Sequence, residues 1–201
     1  MRNQVFPDSH EYGVDVQFLQ ALVAIDERTT ASVQAARCEH CGGRLDRADY
    51  ARKPRGGAVA RGAEAWSKRL SLCCSQEGCR RRSTPPSVRF FGRRVYAEVV
   101  VVLASVAALV TERSRALREV TGVPARTVRR WSTWWRTAFL ASALWLQCQA
   151  RMVPAPDAQQ LPGSLLARFA APTALVDMAR LLAPLTTASV PGGSRSLRFV
   201  M

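Results

Sequence analysis

Cys38-Glu39-His40-Cys41-Gly42-Gly43 is the stretch on which the reading of this chain turns. Two cysteines separated by two residues on a tight turn can aim both sulfurs at one ion, and the glycine after the second lets the backbone turn back with positive φ. That is half of a tetrahedral thiolate site. The other half is expected in Leu72-Cys73-Cys74-Ser75-Gln76-Glu77-Gly78-Cys79-Arg80, where Cys79 joins Cys74 or Cys73. Adjacent strand residues point to opposite faces, so only one of the two ligates easily; Cys74 gives the shorter knuckle and is the expected ligand. Cys38, Cys41, Cys74 and Cys79 on one Zn2+ would form a closed, structural zinc-ribbon site, which stabilises a fold too small to hold itself together.

The spacing departs from the common pattern. The second knuckle has four intervening residues and 32 residues separate Cys41 from Cys74; an insertion in the basic, turn-rich stretch Tyr50 to Lys68, with Lys53-Pro54-Arg55-Gly56-Gly57, would absorb both. Unmetallated thiols that merely cluster are the alternative. His40 reads as a bystander in the turn. Cys148, on an apolar helical stretch, reads as a small buried hydrophobe. A catalytic zinc would need an open position beside a general base, and Glu39 lies inside the knuckle with no His-rich ligand set around it.

The chain around these knuckles has 201 residues, 48% of them hydrophobic and 22% charged, enough to build a core and too apolar for wholesale disorder. No run approaches the roughly 18 apolar residues of a membrane span, and Met1 to His10 lacks a basic region followed by an apolar one. A cytoplasmic, nucleoid-associated location is the expectation, with no membrane partner and no small-molecule substrate. In that compartment thiols stay reduced, which favours metal ligation over disulfides for the six cysteines.

The net charge of +14 is not spread evenly. From Arg37 to Arg136 there are 22 Lys and Arg against 8 Asp and Glu, while the two flanks hold 7 of each and cancel. Only Lys53 and Lys68 are lysine; a guanidinium's planar fork suits bidentate contact with phosphate or a guanine edge. A compositional bias would not segregate charge in this way, so a polyanion is the leading partner class.

A second motif lies within the basic region. In Ser114-Arg115-Ala116-Leu117-Arg118-Glu119-Val120-Thr121-Gly122-Val123-Pro124-Ala125-Arg126-Thr127-Val128-Arg129-Arg130-Trp131, Leu117 and Val120 would face inward from a short helix that Gly122 ends in a left-handed conformation. Val123 plugs the corner, Pro124 opens the next helix, and Val128 and Trp131 bury against the first. The outward face then carries Arg126, Thr127, Arg129 and Arg130, as a helix entering the major groove requires. A structural hairpin with a solvated basic face is the alternative. Trp131, Trp134, Trp135 and Trp145 read as core; Phe90-Phe91, beside Arg89, Arg93 and Arg94, is the one spot where exposed aromatics could stack bases.

These readings divide the chain into four. Residues 1–36 hold an amphipathic helix, about Val14 to Asp26, with a stripe of Val16, Leu19, Leu22, Val23 and Ile25. Residues 37–94 form the ribbon, with Arg69 to Cys73 as strand. Residues 95–150 are helical, opening with the apolar run Val99 to Val110. Residues 151–201 are proline-rich, with one helix near Thr173 to Ala183, a tail without structure, and a candidate role in binding a protein partner. The fold class expected is α+β, a small zinc-ribbon β domain followed by a mainly helical helix-turn-helix unit.

This order of parts, a cysteine ribbon running into Cys79-Arg80-Arg81-Arg82, then Thr84-Pro85-Pro86, then the Gly122-Val123-Pro124 and Arg126-Thr127-Val128 unit, resembles the amino-terminal region of insertion-sequence transposases with zinc ribbons. The resemblance covers about residues 37–140. It implies Zn2+, double-stranded DNA as partner, and contacts from Arg80, Arg81 and Arg82 as well as the helical face; Lys53 and Arg55, in the basic stretch between the knuckles, are further candidate contacts. The family's catalytic domain, three carboxylates on two metal ions, is not carried over, since only Asp157 and Asp177 follow Glu119. A tyrosine recombinase is excluded too, because Tyr12, Tyr50, Tyr96, His10 and His40 all precede the helical unit. The expectation is a non-enzymatic DNA-binding factor associated with a mobile genetic element; an RNA- or assembly-binding zinc-ribbon module is the alternative.

Overall fold

Phe18, Leu19, Leu22, Asp26 and Thr30 mark one stripe of α1 (Val16–Ala35), a ridge at helical spacing that turns inward even where its residues are polar. The helix begins near the expected place but runs nine residues beyond Asp26. Thr29 and Thr30 donate their hydroxyls to the carbonyls of Ile25 and Asp26, four residues back, so these residues satisfy themselves on the helix. Val16, assigned to the apolar stripe from sequence, is instead 50% exposed, because the buried ridge passes through Phe18. Arg37, at φ 64, ends the element and turns the chain into the first knuckle. The computed structural model describes residues 16–52, 64–91, 96, 98–107, 115, 118–119, 121–170 and 173–186.

Among the described residues five short strands follow: β1 (Leu45–Arg47), β2 (Tyr50–Ala51), β3 (Lys68–Arg69), β4 (Leu72–Cys74) and β5 (Arg82–Ser83), with α2 (Glu64–Ser67) before β3. One antiparallel sheet has the order β1-β4-β5, and a second pairs β2 with β3. The single strand expected from Arg69 to Cys73 is broken at Leu70 and Ser71, where the Ser71 N–H bonds the Asp49 side chain at 2.9 Å and the Ala48 N–H bonds the Ser71 carbonyl at 2.8 Å. The register pairs Leu45 with Cys74 and Asp46 with Cys73. Strand alternation therefore buries Leu45, Leu72 and Cys74 on one face and sends Cys73 to the other.

The larger core runs from Phe18 to Leu182 and draws on all the helices around it. In α3 (Glu98–Ala107), Val99 to Ala104 are all buried, so the helix is apolar all round and is covered on every side. It packs against both α4 (Ala125–Trp134) and α7 (Ala174–Leu182). α4 continues into a single π turn, Trp135–Phe139, which is followed by α5 (Ala143–Gln149), capped by Ser142. Trp135 and Phe139 are wholly buried, and edge-to-face contacts run from Phe91 through Trp134 and Trp135 to Phe139, which meets Trp145 in a tilted contact. Phe90 and Phe91, read as candidate exposed aromatics, are 1% and 5% exposed: Phe91 packs into this core, and the Arg52 and Arg89 guanidiniums lie over the Phe90 ring. Residues beyond the 151 boundary also join it: α6 (Gly163–Leu166) contributes Leu165 and Leu166, and α7 contributes Leu175, Met178 and Leu182.

The fold is thus a mixture of helix and small antiparallel sheets, consistent with α+β at that level. No helix among the described residues is long and apolar enough to cross a membrane. Val14, Ser114, Leu117, Val120, Ala108 to Val110 and the last fifteen residues, to which the sequence reading assigned roles, lie outside the described residues.

Candidate metal centre and nucleic-acid interface

The Cys38–Cys41 turn is closed by two backbone bonds, Gly42 N–H to the Cys38 carbonyl at 2.7 Å and Cys38 N–H to the Gly43 carbonyl at 2.9 Å. Gly42 sits at φ +70, the left-handed region that favours glycine. The opposite knuckle is held by Cys74 N–H to the Arg81 carbonyl at 2.9 Å and by Cys79 and Arg80 N–H to the Gln76 carbonyl, both at 3.0 Å. Arg80 takes φ 44, the left-handed turn residue of this knuckle. Ser75 N–H on the Arg44 carbonyl, 2.9 Å, ties the two knuckles together.

The four sulfurs of Cys38, Cys41, Cys74 and Cys79 lie within 4.8 Å of one another. Cys41 and Cys74 are 3.4 Å apart, Cys38 and Cys79 3.8 Å. Four sulfurs about 2.3 Å from a tetrahedral ion would be about 3.8 Å apart, so the set fits an ion such as Zn2+. Gly43 supports that fit: a Cβ there would stand 2.5 Å from Gln76 Cγ, 3.1 Å from Cys74 Sγ and 3.3 Å from Cys41 Sγ. The fifth cysteine of the region, Cys73, faces away, its sulfur 3.4 Å from the Arg80 carbonyl. Of the neighbours Cys73 and Cys74, the structure brings Cys74 into the cluster. Cys148 is buried in the larger core, and burial raises its pKa.

Backbone N–H groups aim at the sulfurs with one repeated offset: His40 on Cys38, Gln76 on Cys74 and Arg81 on Cys79, each two residues on. For Cys38 the His40 N–H dominates and holds the thiol at about 7. Cys74 goes the other way: the Gln76 N–H lowers it, but burial and the Cys41, Cys38 and Cys79 sulfurs push it up to about 12. Cys79 is raised as well, the Arg81 N–H being outweighed by burial and by Cys41 and Cys38. Crowded thiols resist collective ionisation, and a cation at the centre removes that penalty.

The basic face of α4 is the second candidate. Val128 and Trp131 are buried, and Arg126, Arg129 and Arg130 are exposed, with Thr127 partly so. Among the described residues none of these three guanidiniums meets an acidic group. Upstream, Arg115, Arg118, Glu119 and Thr121 have helical backbone; the Gly122 N–H bonds the Arg118 carbonyl at 2.8 Å, and Gly122 lies at φ +65. Val123 is 2% exposed at the corner. Pro124 sits one position earlier than expected, at the cap (φ −64, ψ 143), so the helix starts at Ala125.

Other arginines of the basic region have different occupations. Arg89 is buried, with its Nε on Asp26 Oδ2 at 2.7 Å and its NH2 group on the Lys68 carbonyl at 3.0 Å. Arg69 is buried beside it and donates to the Pro85 carbonyl at 2.5 Å. In the triplet after Cys79, Arg82 donates to the Ala48 carbonyl and Ser71 Oγ and lies over Tyr50. Arg81 donates to the His40 ring, and the Arg80 side chain is exposed. Lys53 and Arg55 lie outside the described residues. Sequence reasoning missed Arg118, Thr133 and Arg136, which line grooves together with the α4 arginines; the seven-residue step from Arg129 to Arg136 was the available signal. Comparison of the chain with protein-family models, curated proteins and solved structures finds no match.

Proposed function

We propose that this chain is a non-enzymatic DNA-binding protein. Cys38, Cys41, Cys74 and Cys79 hold a structural Zn2+ that closes a zinc ribbon, and the segments on either side of Gly122 act as a helix-turn-helix with α4 as its recognition helix. The observation that carries this reading is the division of α4: Val128 and Trp131 are buried, and Arg126, Arg129 and Arg130 are exposed without acidic partners among the described residues. Uncompensated guanidiniums on one helical face suit phosphate oxygens and guanine edges. Zinc suits the other site because its ligand set is all thiolate and the small cluster of Cys38, Leu45, Leu72 and Cys74 is too slight to hold the ribbon unaided. Burial of Phe90 and Phe91 weighs against a base-stacking RNA reader. Association with a mobile genetic element, as a targeting or regulatory factor, rests on the order of parts alone.

The test is fluorescence anisotropy with the zinc-loaded chain and labelled duplexes, one selected from a random pool and one scrambled. Affinity should fall steeply as salt is raised from about 50 to about 200 mM, as counterion release by several arginines requires. Arg126→Ala should cost about 1–3 kcal/mol on the selected duplex and less on the scrambled one. Salt-independent binding, or none, overturns the reading.

A further inference from the structure

We infer that Arg118, Arg129 and Arg136 form a groove for the phosphodiester backbone of duplex DNA, distinct from a neighbouring row, Arg126 with Arg130, that addresses the bases. This inference rests on the DNA-binding reading above and divides its surface in two.

The first groove is lined by Arg118, Ala125, Val128, Arg129, Ser132, Thr133 and Arg136, the second by Arg126, Arg129, Arg130 and Thr133. They adjoin at Arg129 and Thr133. In the first, every ionisable lining residue is an arginine, and among the described residues none of the three has an acidic partner. Its hydroxyls are committed: Ser132 donates to the Val128 carbonyl at 3.2 Å and Thr133 to the Arg129 carbonyl at 3.1 Å. The remaining lining is Ala125 and Val128, so the side-chain donors left for a ligand are guanidinium N–H groups. Arg136 is pre-aimed, its Nε held by the Ser132 carbonyl at 3.2 Å while its terminal nitrogens stay open. Such a set of converging donors suits the acceptor-only oxygens of phosphate.

Position separates the two rows. A recognition helix reads bases with its first turns, where Arg126 and Arg130 lie, and the preceding helix crosses the backbone. Arg118 belongs to that preceding segment and Arg136 to the π turn at the far end. Arg136 lies seven positions after Arg129, about 10 Å of helix, so they meet different phosphates.

The experiment is the salt titration of the zinc-loaded chain on the selected and scrambled duplexes, with Arg118→Gln, Arg136→Gln and the double variant. Each single change should reduce the slope of log affinity against log salt by about one, the double by about two, with equal fold-losses on both duplexes. Arg118→Lys and Arg136→Lys keep the charge and should keep the slope. Arg115→Gln, whose guanidinium is engaged by Glu119 at 3.3 Å outside the groove, should behave as the unsubstituted chain. A double variant that melts normally but retains the full slope, or that loses affinity only on the selected duplex, overturns the groove and leaves the DNA-binding reading standing. Failure of the unsubstituted chain to bind either duplex overturns both. Tighter binding to duplex RNA, with the same slope changes, overturns DNA as the occupant.

Discussion

Arg89 and Asp26, 63 residues apart, form an ion pair closed off from solvent, with Nε 2.7 Å from Oδ2 and side chains 0% and 1% exposed. Asp26 also accepts from Ser87 Oγ at 2.6 Å and from the Val88 N–H at 2.8 Å, so both carboxylate oxygens are filled. The guanidinium reaches the Lys68 and Trp66 carbonyls and lies over the Phe90 and Trp66 rings. One hydrogen-bonded pair thereby locks α1 to the segment that follows β5. Removing one partner leaves an uncompensated buried charge, and Asp26→Ala should cost about 3–5 kcal/mol in denaturant unfolding. A loss below about 1 kcal/mol would mean that water replaces the carboxylate.

Gly43 and Gly78 make a matched pair for the knuckles. Alanine at Gly43 would drive its Cβ to 3.1 Å from Cys74 Sγ, whereas at Gly78 nothing lies within 4 Å. Gly43→Ala should release zinc to a chelator far more readily than the unsubstituted chain, and Gly78→Ala should change stability by no more than about 0.5 kcal/mol. Equal zinc retention in the two variants would contradict the packing of Gly43 on the sulfurs.

Cys74→Ser should lose bound zinc and Cys73→Ser should keep it, since only Cys74 shares the face of Leu45 and Leu72. Cys148→Ser, in the other core, should keep it as well. Metal content per chain by elemental analysis decides among these. Zinc retained in Cys74→Ser but lost in Cys73→Ser would place the wrong sulfur in the site.

Zinc affinity should fall with pH. Zinc binds thiolates, and near neutrality Cys38, at about 7, ionises readily while Cys74, raised to about 12, and Cys79, raised as well, hold their protons. Loading at pH 7 therefore expels protons from at least two sulfurs, and acid competes with the metal. The expected dependence is about a hundredfold weaker binding for each pH unit lost. Competition against a chromophoric chelator at several pH values measures it; a flat profile would mean the thiols are already ionised without metal.

The two knuckles were legible because their chemistry is local: Cys38 to Gly43 and Cys74 to Cys79 each close on their own backbone bonds. Helix α4 was legible for the same reason, its buried Val128 and Trp131 and its exposed arginines following from the helical period. The extension of α1 to Ala35 was not, since Asp26 and Thr30 look like surface residues until Ser87, Val88 and Arg89 arrive to partner the aspartate. Nor were the occupations of Arg69, Arg82 and Arg89, which composition counts as free charge.

By itself the sequence determined which sulfurs could meet, where the chain had to turn, and that its basic residues gather in one region, because spacing, glycine stereochemistry and charge are properties of neighbouring residues. Tertiary structure alone decided that Cys74 and not Cys73 faces Cys41, that Arg89 is a buried strut, and that Arg118 and Arg136 flank the same groove as Arg129. Strand register and helix packing set those outcomes. They bring together residues tens of positions apart, and no local periodicity encodes which distant partner will be there.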